Sequence, residues 1–123
     1  MSPSSRSASP SQPRTLAHPE RDEISLEAVL HALSDPVRLQ VVRYLAGLAE
    51  GEGAACSAIE LVVSKSTGTH HFRVLREAGL ISQVYRGTAK LNALRRADLD
   101  ALFPGLLDAV LGADAARRER DVS

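Results

Sequence analysis

Cysteine and long apolar runs are what this sequence has least of. It contains one cysteine in 123 residues. One cysteine cannot form an intrachain disulfide, and a lone thiol suits a reducing compartment. No apolar run approaches the length of a membrane span, and the N-terminus lacks the hydrophobic core of a signal peptide. We therefore expect a cytoplasmic protein with no membrane partner.

Motifs for catalysis and for metal binding are also missing. The sequence has no Gly-rich phosphate loop and no nucleophile elbow, and Ser66, His70 and His71 fall on one predicted helix without an orienting acid. A zinc site needs about four N or S ligands. Residues 24–111 offer only Cys56, His31, His70 and His71. We therefore predict no enzyme, no cofactor and no metal site.

The charge of the chain is balanced in total but unevenly distributed. The formal net charge is zero. Residues 64–96 carry seven basic side chains and one acidic side chain, whereas residues 20–60 carry eight acids and three arginines. A local basic patch, rather than net charge, attracts a phosphate backbone. The distribution therefore favours a nucleic-acid partner.

The segment from residue 64 to 79 is the most informative stretch. Ser64 is a good N-cap, and Gly79 is a good terminator because Gly accepts the left-handed conformation. One face of the predicted helix is apolar, around Phe72 and Leu75. The opposite face and the N-terminus carry hydroxyls, an imidazole and basic groups, which read base edges and phosphates. The predicted DNA-binding residues of this helix are Ser64, Lys65, Ser66, Thr67, Thr69, His70 and Arg73. The alternative is an amphipathic helix with a solvated face.

A predicted β-hairpin follows this helix at once. Residues 81–94 show a strand, a Gly-containing turn and a second strand. Arg86 lies near the tip and Lys90 on the return strand, where both are expected to contact DNA. A capping box at 57–60 predicts a short helix through Leu61 or Val62 in front of the longer one. Two closely joined helices followed by a basic hairpin predict a winged helix-turn-helix, a mainly α fold with a small hairpin (α+β).

The composition along the chain predicts a division into three segments. Residues 1–23 are rich in Ser, Pro and Arg and are expected to form a disordered tail. Residues 24–111 are the predicted DNA-binding and dimerisation domain, and residues 112–123 a flexible C-terminal tail. The first and last helices of the domain have wider apolar stripes than one small core needs, which suggests a dimer interface. Its predicted members are Leu26, Val29, Leu30, Leu33, Leu99, Leu102, Phe103, Leu106, Leu107 and Val110.

Two motifs resemble the ArsR-type family of winged-helix repressors. They are Ala32-Leu33-Ser34-Asp35-Pro36-Val37-Arg38-Leu39 and the run from Ser64-Lys65-Ser66-Thr67 through His70-His71-Phe72-Arg73 to Ala78-Gly79-Leu80-Ile81. The resemblance implies a homodimer that binds an operator and releases it when a small effector arrives. Gly68 departs from the family pattern, which has an aliphatic residue there. Many relatives sense metal through a Cys-x-Cys pair, whereas this chain has only Cys56, a possible redox site with a structural role as the alternative.

These observations predict a dimeric transcriptional regulator. It is expected to act as a repressor that binds a double-stranded DNA operator through helix 64–78 and wing 81–94 and is released by an unknown effector. The alternative is a winged-helix protein-interaction module that does not bind DNA. Binding to duplex DNA that weakens with salt would distinguish the two.

Overall fold

A computed structural model of the protein describes residues 14–49 and 51–122. Within these ranges the chain forms four strands and five α-helices, and three of the helices precede the hairpin. In chain order they are β1 Arg14–Thr15, α1 Leu26–Leu33, α2 Pro36–Ala46, β2 Ala54–Ala55, α3 Lys65–Ala78, β3 Ile81–Arg86, β4 Ala89–Leu94, α4 Arg96–Leu102 and α5 Leu106–Val122. The predicted winged helix-turn-helix of the α+β class is confirmed.

Capping side chains fix the starts of the first two helices. The Ser25 hydroxyl accepts a hydrogen bond from the backbone N–H of Ala28, at 3.1 Å. The Asp35 carboxylate accepts from the N–H groups of Val37 and Arg38, at 2.8 and 3.1 Å. Pro36 follows as the first residue of α2, where its missing N–H costs no helical hydrogen bond. Both helices therefore begin at a capping residue that the local sequence supplies.

The predicted short helix from the 57–60 capping box is wrong. Its place is taken by a 3-10 turn at Cys56–Ala58, and the chain then extends towards α3. The carbonyl of Glu60 accepts from the Gln40 side chain of α2 at 2.8 Å, and the Ile59 side chain is buried. Tertiary contacts to α2 and the core therefore override the local capping signal. In front of this turn, β2 is an element that the sequence did not reveal.

Helix α3 ends in a Schellman motif. The N–H of Leu80 bonds the carbonyl of Leu75 at 3.0 Å, the N–H of Gly79 bonds that of Arg76 at 3.0 Å, and Gly79 has φ +90°. Leu75 and Leu80 are fully buried, which gives the motif its usual apolar contact. Gly68, buried under Leu61, leaves room for a methyl group, because an added Cβ would lie 3.7 Å from Leu61 Cδ1. The predicted helix and its terminator are both found.

The strands form one antiparallel sheet in the order β1-β3-β4-β2. In the hairpin, Ile81 pairs with Leu94 and Arg86 with Ala89, and Gly87 at the tip has φ +64°. The two outer strands have only two residues each: β1 lies beside β3, and β2 lies beside β4. The hairpin, here called the wing (residues 81–94), is therefore flanked on both edges, by β1 at Val84 and Tyr85 and by β2 at Leu91 and Asn92.

The prediction of a disordered tail over residues 1–23 is wrong for residues 14–23. After β1, a 3-10 turn at Arg21–Glu23 leads into buried Ile24. Arg76 donates a hydrogen bond to the Ala17 carbonyl, and Arg95 donates one to the Pro19 carbonyl. These long-range hydrogen bonds compensate for the low apolar content that predicted disorder. Residues 1–13 lie outside the described part of the chain.

The prediction of a flexible tail over residues 112–123 is wrong up to Val122. Helix α5 continues to Val122, and Asp114 is buried against three arginines. Its carboxylate accepts hydrogen bonds from Arg43 of α2 at 2.8 Å and from Arg117 and Arg118 at 2.6 and 3.1 Å. Burial raises the pKa of Asp114, but the arginine hydrogen bonds outweigh it and hold that pKa below its ordinary value of 3.8. The domain therefore extends beyond residue 111.

Pro104 separates the last two helices. Helix α4 ends at Leu102 and α5 begins at Leu106, because proline cannot donate to the preceding turn. None of the helices described is both long enough and apolar enough to cross a membrane.

Candidate nucleic-acid interface

The outer face of α3 gathers the polar residues singled out in the sequence. All seven side chains are exposed: Ser64, Lys65, Ser66, Thr67, Thr69, His70 and Arg73. The inner side of the helix buries Gly68, His71, Phe72, Leu75 and Ala78 against the core. The apolar stripe of α3 is therefore buried in the protein core, and the hydroxyl and basic side chains face outward. Their contact with DNA stays a prediction.

The N-terminal end of α3 is held by hydroxyl groups. Ser64 Oγ accepts from the N–H of Thr67 at 3.2 Å and donates to Thr67 Oγ1 at 3.0 Å. Ser64 therefore acts first as the helix cap. The remaining free N–H groups of the first turn and the ammonium of Lys65 make this end attractive to an anion such as a phosphate.

Arg73 and His70 are paired on the exposed face. Arg73 Nη2 lies 3.1 Å from His70 Nδ1, and both side chains are exposed. A guanidinium can only donate, so Nδ1 accepts and the ring carries its proton on Nε2. The pair therefore presents several N–H donors outward, and the contact fixes the orientation of the guanidinium, which suits the acceptors O6 and N7 of guanine.

His71 points the other way and belongs to a buried network. Its ring is 8% exposed, and Arg38 Nη1 donates to its Nδ1 at 3.1 Å. Arg38, itself 7% exposed, also donates to the carbonyls of Ala32 and His31 at the end of α1, at 2.8 and 3.3 Å. Arg38 therefore joins the end of α1 to α3. Sequence reasoning missed this role, although an arginine three residues after a helix-capping Asp was a visible signal.

Asp35 completes this network. Its Oδ1 lies 4.0 Å from His71 Nε2. Burial raises the pKa of Asp35, but hydrogen bonds from the N–H groups of Arg38 and Val37 more than offset it, so that pKa lies below its ordinary value of 3.8. The Asp-Pro-x-Arg sequence thus orders the start of α2, the end of α1 and the middle of α3 together.

The wing carries the remaining predicted contacts. Arg86 is exposed beside the tip, and the Lys90 ammonium lies 5.6 Å from the centroid of the Tyr85 ring. Among the described residues, no carboxylate forms an ion pair with Lys65, Arg73, Arg86 or Lys90. These four cations form what we call the free basic face. They are the part of the positive segment 64–96 that is available to phosphates.

The other three basic residues of that segment serve the fold. Arg95 pairs with Asp98 at 2.9 Å, and Arg96 with Asp108 at 3.0 Å. Arg76 donates to the Gln83 side chain at 2.7 Å. A count of charges along the sequence therefore overstates the basic surface.

A chain of buried amides runs across the base of the wing. Gln83 and Asn92 are 1% and 0% exposed. The side-chain amide of Gln83 donates through Nε2 to Oδ1 of the Asn92 side chain at 2.7 Å. The Asn92 amide in turn donates to the Ala54 carbonyl at 3.0 Å and to Cys56 Sγ at 3.3 Å. Because Arg76 also bonds Gln83, this chain connects α3 to both wing strands. Two amides directly opposite in the hairpin were the signal for it in the sequence.

Cys56 is half-buried and receives this hydrogen bond, which supports its structural role. In the part of the chain that the structure describes, no three His, Cys, Asp or Glu side chains are grouped so that they could hold a metal ion.

The predicted dimer residues divide into two groups. Val29, Leu33, Leu99 and Leu107 are buried within the chain, so their assignment to an interface is wrong. They meet where α1 packs beside α4 and α5. This packing within one chain buries the apolar side chains that had suggested a second subunit. Six predicted residues stay accessible: Leu26 and Leu30 are exposed, and Leu102, Phe103, Leu106 and Val110 are half-buried.

Comparison with known proteins agrees with this architecture. Residues 33–84, from the end of α1 into β3, match the helix-turn-helix domain family. Over 82 residues the chain is 34% identical to a protein of Bacillus subtilis (strain 168) described as the uncharacterised HTH-type transcriptional regulator YceK. The alignment covers 65% of this chain and 80% of that protein.

Proposed function

Because the chain belongs to the family of helix-turn-helix transcriptional regulators, we propose that it is a dimeric repressor without enzymatic activity. In this proposal it binds a double-stranded operator through α3 and the wing and leaves it when a small effector binds. The observation that carries the proposal is the free basic face, in which Lys65, Arg73, Arg86 and Lys90 lack acidic partners among the described residues.

The dimensions of α3 suit a major groove. Its 14 residues correspond to a length of about 21 Å, and the major groove is about 12 Å wide and admits one helix. The outer face supplies short hydroxyls and the paired His70 and Arg73, while the apolar side is buried. The wing is joined to α3 through the hydrogen bond between Arg76 and Gln83. It would then lie on the sugar-phosphate backbone of the DNA beside the major groove.

The first test is duplex binding and its dependence on salt. We expect Arg86→Ala to weaken binding to a selected operator and to a mixed-sequence duplex by similar factors. A phosphate contact carries no base information, and its loss should flatten the slope of log K against log salt by about one unit. Fluorescence anisotropy titrations at several salt concentrations measure both quantities.

Arg118→Ala is the matched control, because it removes the same charge from α5, where Asp114 keeps Arg43 and Arg117 as partners. Wild-type protein that binds no duplex would contradict the proposed function and favour the protein-interaction module. Loss of binding to the operator alone in Arg86→Ala would place the wing in a narrow minor groove, where Arg reads groove shape.

The accessible apolar residues of α1 and α5 support the dimer. The two helices adjoin, because Val29 and Leu33 share a small cavity with Leu106 and Leu107. Leu30 is 46% exposed beside this contact. An exposed leucine pair on one face, next to half-buried leucines of a second helix, suits a self-complementary interface.

We expect Leu30→Glu to produce a folded monomer, because a charge in an apolar interface is costly and Leu30 contributes little to the core. Analytical ultracentrifugation and thermal melting measure the two effects. Val62→Glu is the control, since Val62 is 92% exposed and lies before α3. A wild-type monomer at micromolar concentration, or a dimer unaffected by Leu30→Glu, would exclude this interface.

A further inference from the structure

A cavity of about 520 Å³ lies beside the base of the wing. Its wall is formed by the end of α2, the loop residues 48–49 and 51–52, the end of β4 and the first turn of α4. Pockets that bind small molecules have volumes of about 300–1,000 Å³. None of the four cations of the free basic face lines the cavity, so it is a separate feature of the molecule.

The cavity exists because many of the side chains around it are small. Gly51 lines it from the loop, and four alanines line it from α2, the loop, β4 and α4: Ala46, Ala49, Ala93 and Ala97. Leu45, Leu48 and Leu94 add larger apolar surface to the wall, and Leu45 is buried. A largely apolar wall with a few polar groups suits the body of an organic molecule.

The charged side chains at the cavity leave one negative charge without a partner. Arg95 pairs with Asp98 at 2.9 Å, and Arg96 lies 3.7 Å from Asp100. Glu52 also lines the cavity, and no cation within the described residues forms an ion pair with it. The charge that the cavity offers to a ligand is therefore negative.

The Glu52 carboxylate is held in place by a turn. Its Oε1 accepts a hydrogen bond from the N–H of Ala49 at 2.9 Å, and the N–H of Glu52 donates to the Ala49 carbonyl at 3.0 Å. These two hydrogen bonds orient the acid before a ligand arrives, so that binding costs little side-chain entropy. A preorganised carboxylate beside an apolar wall is complementary to an ammonium group on an apolar body.

We propose that this cavity is the effector site and that its ligand is a small apolar molecule with one amino group. This inference rests on the proposed function, since an effector matters only if the chain binds an operator. A ligand in the cavity would contact α2, β4 and α4 at once. Strand β4 carries Lys90 of the free basic face, so a shift of β4 against α2 would move the wing relative to α3. The ligand releases DNA if it binds more tightly to the arrangement that does not fit the operator.

The first test uses three ligands that share one apolar body: 3-phenylpropylamine, 3-phenylpropanol and 3-phenylpropionate. NMR titration of the full chain without DNA measures their dissociation constants. We expect the amine to bind most tightly and the carboxylate most weakly. Glu52→Gln keeps an oxygen acceptor for the Ala49 N–H, so the fold should survive. The amine should lose about 2- to 5-fold in affinity, as for other exposed ion pairs.

Glu60→Gln is the matched control, because it removes the same charge from an exposed residue outside the cavity. Ala97→Trp should weaken binding of all three ligands, because Ala97 is exposed on the wall and the larger ring would occupy the space. Melting curves should show that each variant keeps the fold. Equal affinities of the amine and the carboxylate, or an unchanged amine affinity in Glu52→Gln, would overturn the ligand class. Unchanged binding in Ala97→Trp would exclude the cavity as the site.

The second test is duplex binding with and without the amine at constant ionic strength. We expect saturating amine to weaken the duplex affinity of the wild type by at least about 5-fold, the lower end of typical allosteric coupling, and to have less effect in Ala97→Trp. Amine binding without any change in duplex affinity would overturn the effector assignment while the proposed DNA binding stands. A full chain that binds the amine in the cavity but binds no duplex would contradict the proposed function and leave the ligand site intact.

Discussion

Arg73→Ala and Thr69→Ala should each weaken binding to the operator while leaving the melting temperature nearly unchanged. Both side chains are exposed on the outer face of α3. The Arg73 guanidinium is oriented by its hydrogen bond to His70, with 3.1 Å between Nη2 and Nδ1. A good side chain–base pair contributes about 1–3 kcal/mol of discrimination, which corresponds to roughly 5- to 150-fold in affinity. Arginine should lie at the upper end, because it can bind guanine through two hydrogen bonds.

The measurement needs an operator, which selection from a random DNA pool would supply. Affinity for the selected and for a mixed-sequence duplex should then be titrated beside thermal unfolding. The loss should be larger on the selected duplex, since base contacts carry the sequence information. Equal losses on both duplexes would make Arg73 a phosphate contact. A large fall in melting temperature with little loss of affinity would mean that the inner and outer faces of α3 are reversed.

Gly79→Ala should be the most destabilising single methyl addition in the described chain. Gly79 has φ +90°, and an added Cβ would lie 2.5 Å from Ile24 Cγ1 and 2.6 Å from its Cδ1. The left-handed conformation costs a non-glycine residue about 1–2 kcal/mol, and overpacking a buried site adds about 1–3 kcal/mol. We therefore expect the free energy of unfolding to fall by about 2–5 kcal/mol.

Gly87→Ala is the matched control for backbone strain. Gly87 also has a positive φ, +64°, but an added Cβ would meet nothing within 4 Å. Only the conformational cost, about 1–2 kcal/mol, should appear in its urea denaturation curve. Ile24→Ala should cost less stability in the Gly79→Ala background than in the wild type, because the smaller side chain makes room for the added methyl group. If Gly79→Ala and Gly87→Ala cost the same, the contact between Ile24 and the end of α3 is not rigid.

This contact also explains why the N-terminal segment matters to the DNA-binding part of the fold. Ile24 packs on the end of α3, Arg76 holds the Ala17 carbonyl, and Arg21 pairs with Asp98 at 2.8 Å. The Arg21 hydrogen bond is the main reason that the pKa of Asp98 lies below its ordinary value of 3.8. The segment before α1 therefore links α3, the wing and α4 through these contacts.

The sequence by itself determined the elements that depend on neighbouring residues. Ser25, Asp35 and Ser64 cap α1, α2 and α3, and Gly79 ends α3. The apolar spacing on α3 correctly placed His70 on the exposed face, and the strand–turn–strand pattern placed the wing. Caps, periodicity and turns act within a few residues, so their physics is already present in the local sequence.

Tertiary structure alone decided the features that join residues far apart in the chain. Residues 14–23 and 112–122 looked too polar to fold, yet hydrogen bonds from Arg76 and Arg95 hold the first, and Arg43 holds the second through Asp114. The same holds for Val29 and Leu107, whose stripes suggested an interface but pack inside one chain. An apolar stripe in the sequence indicates only that its side chains are buried somewhere. A charged residue in such a segment indicates only that it needs an ion-pair or hydrogen-bond partner. Which surface or side chain supplies that partner depends on contacts that form when the whole chain packs.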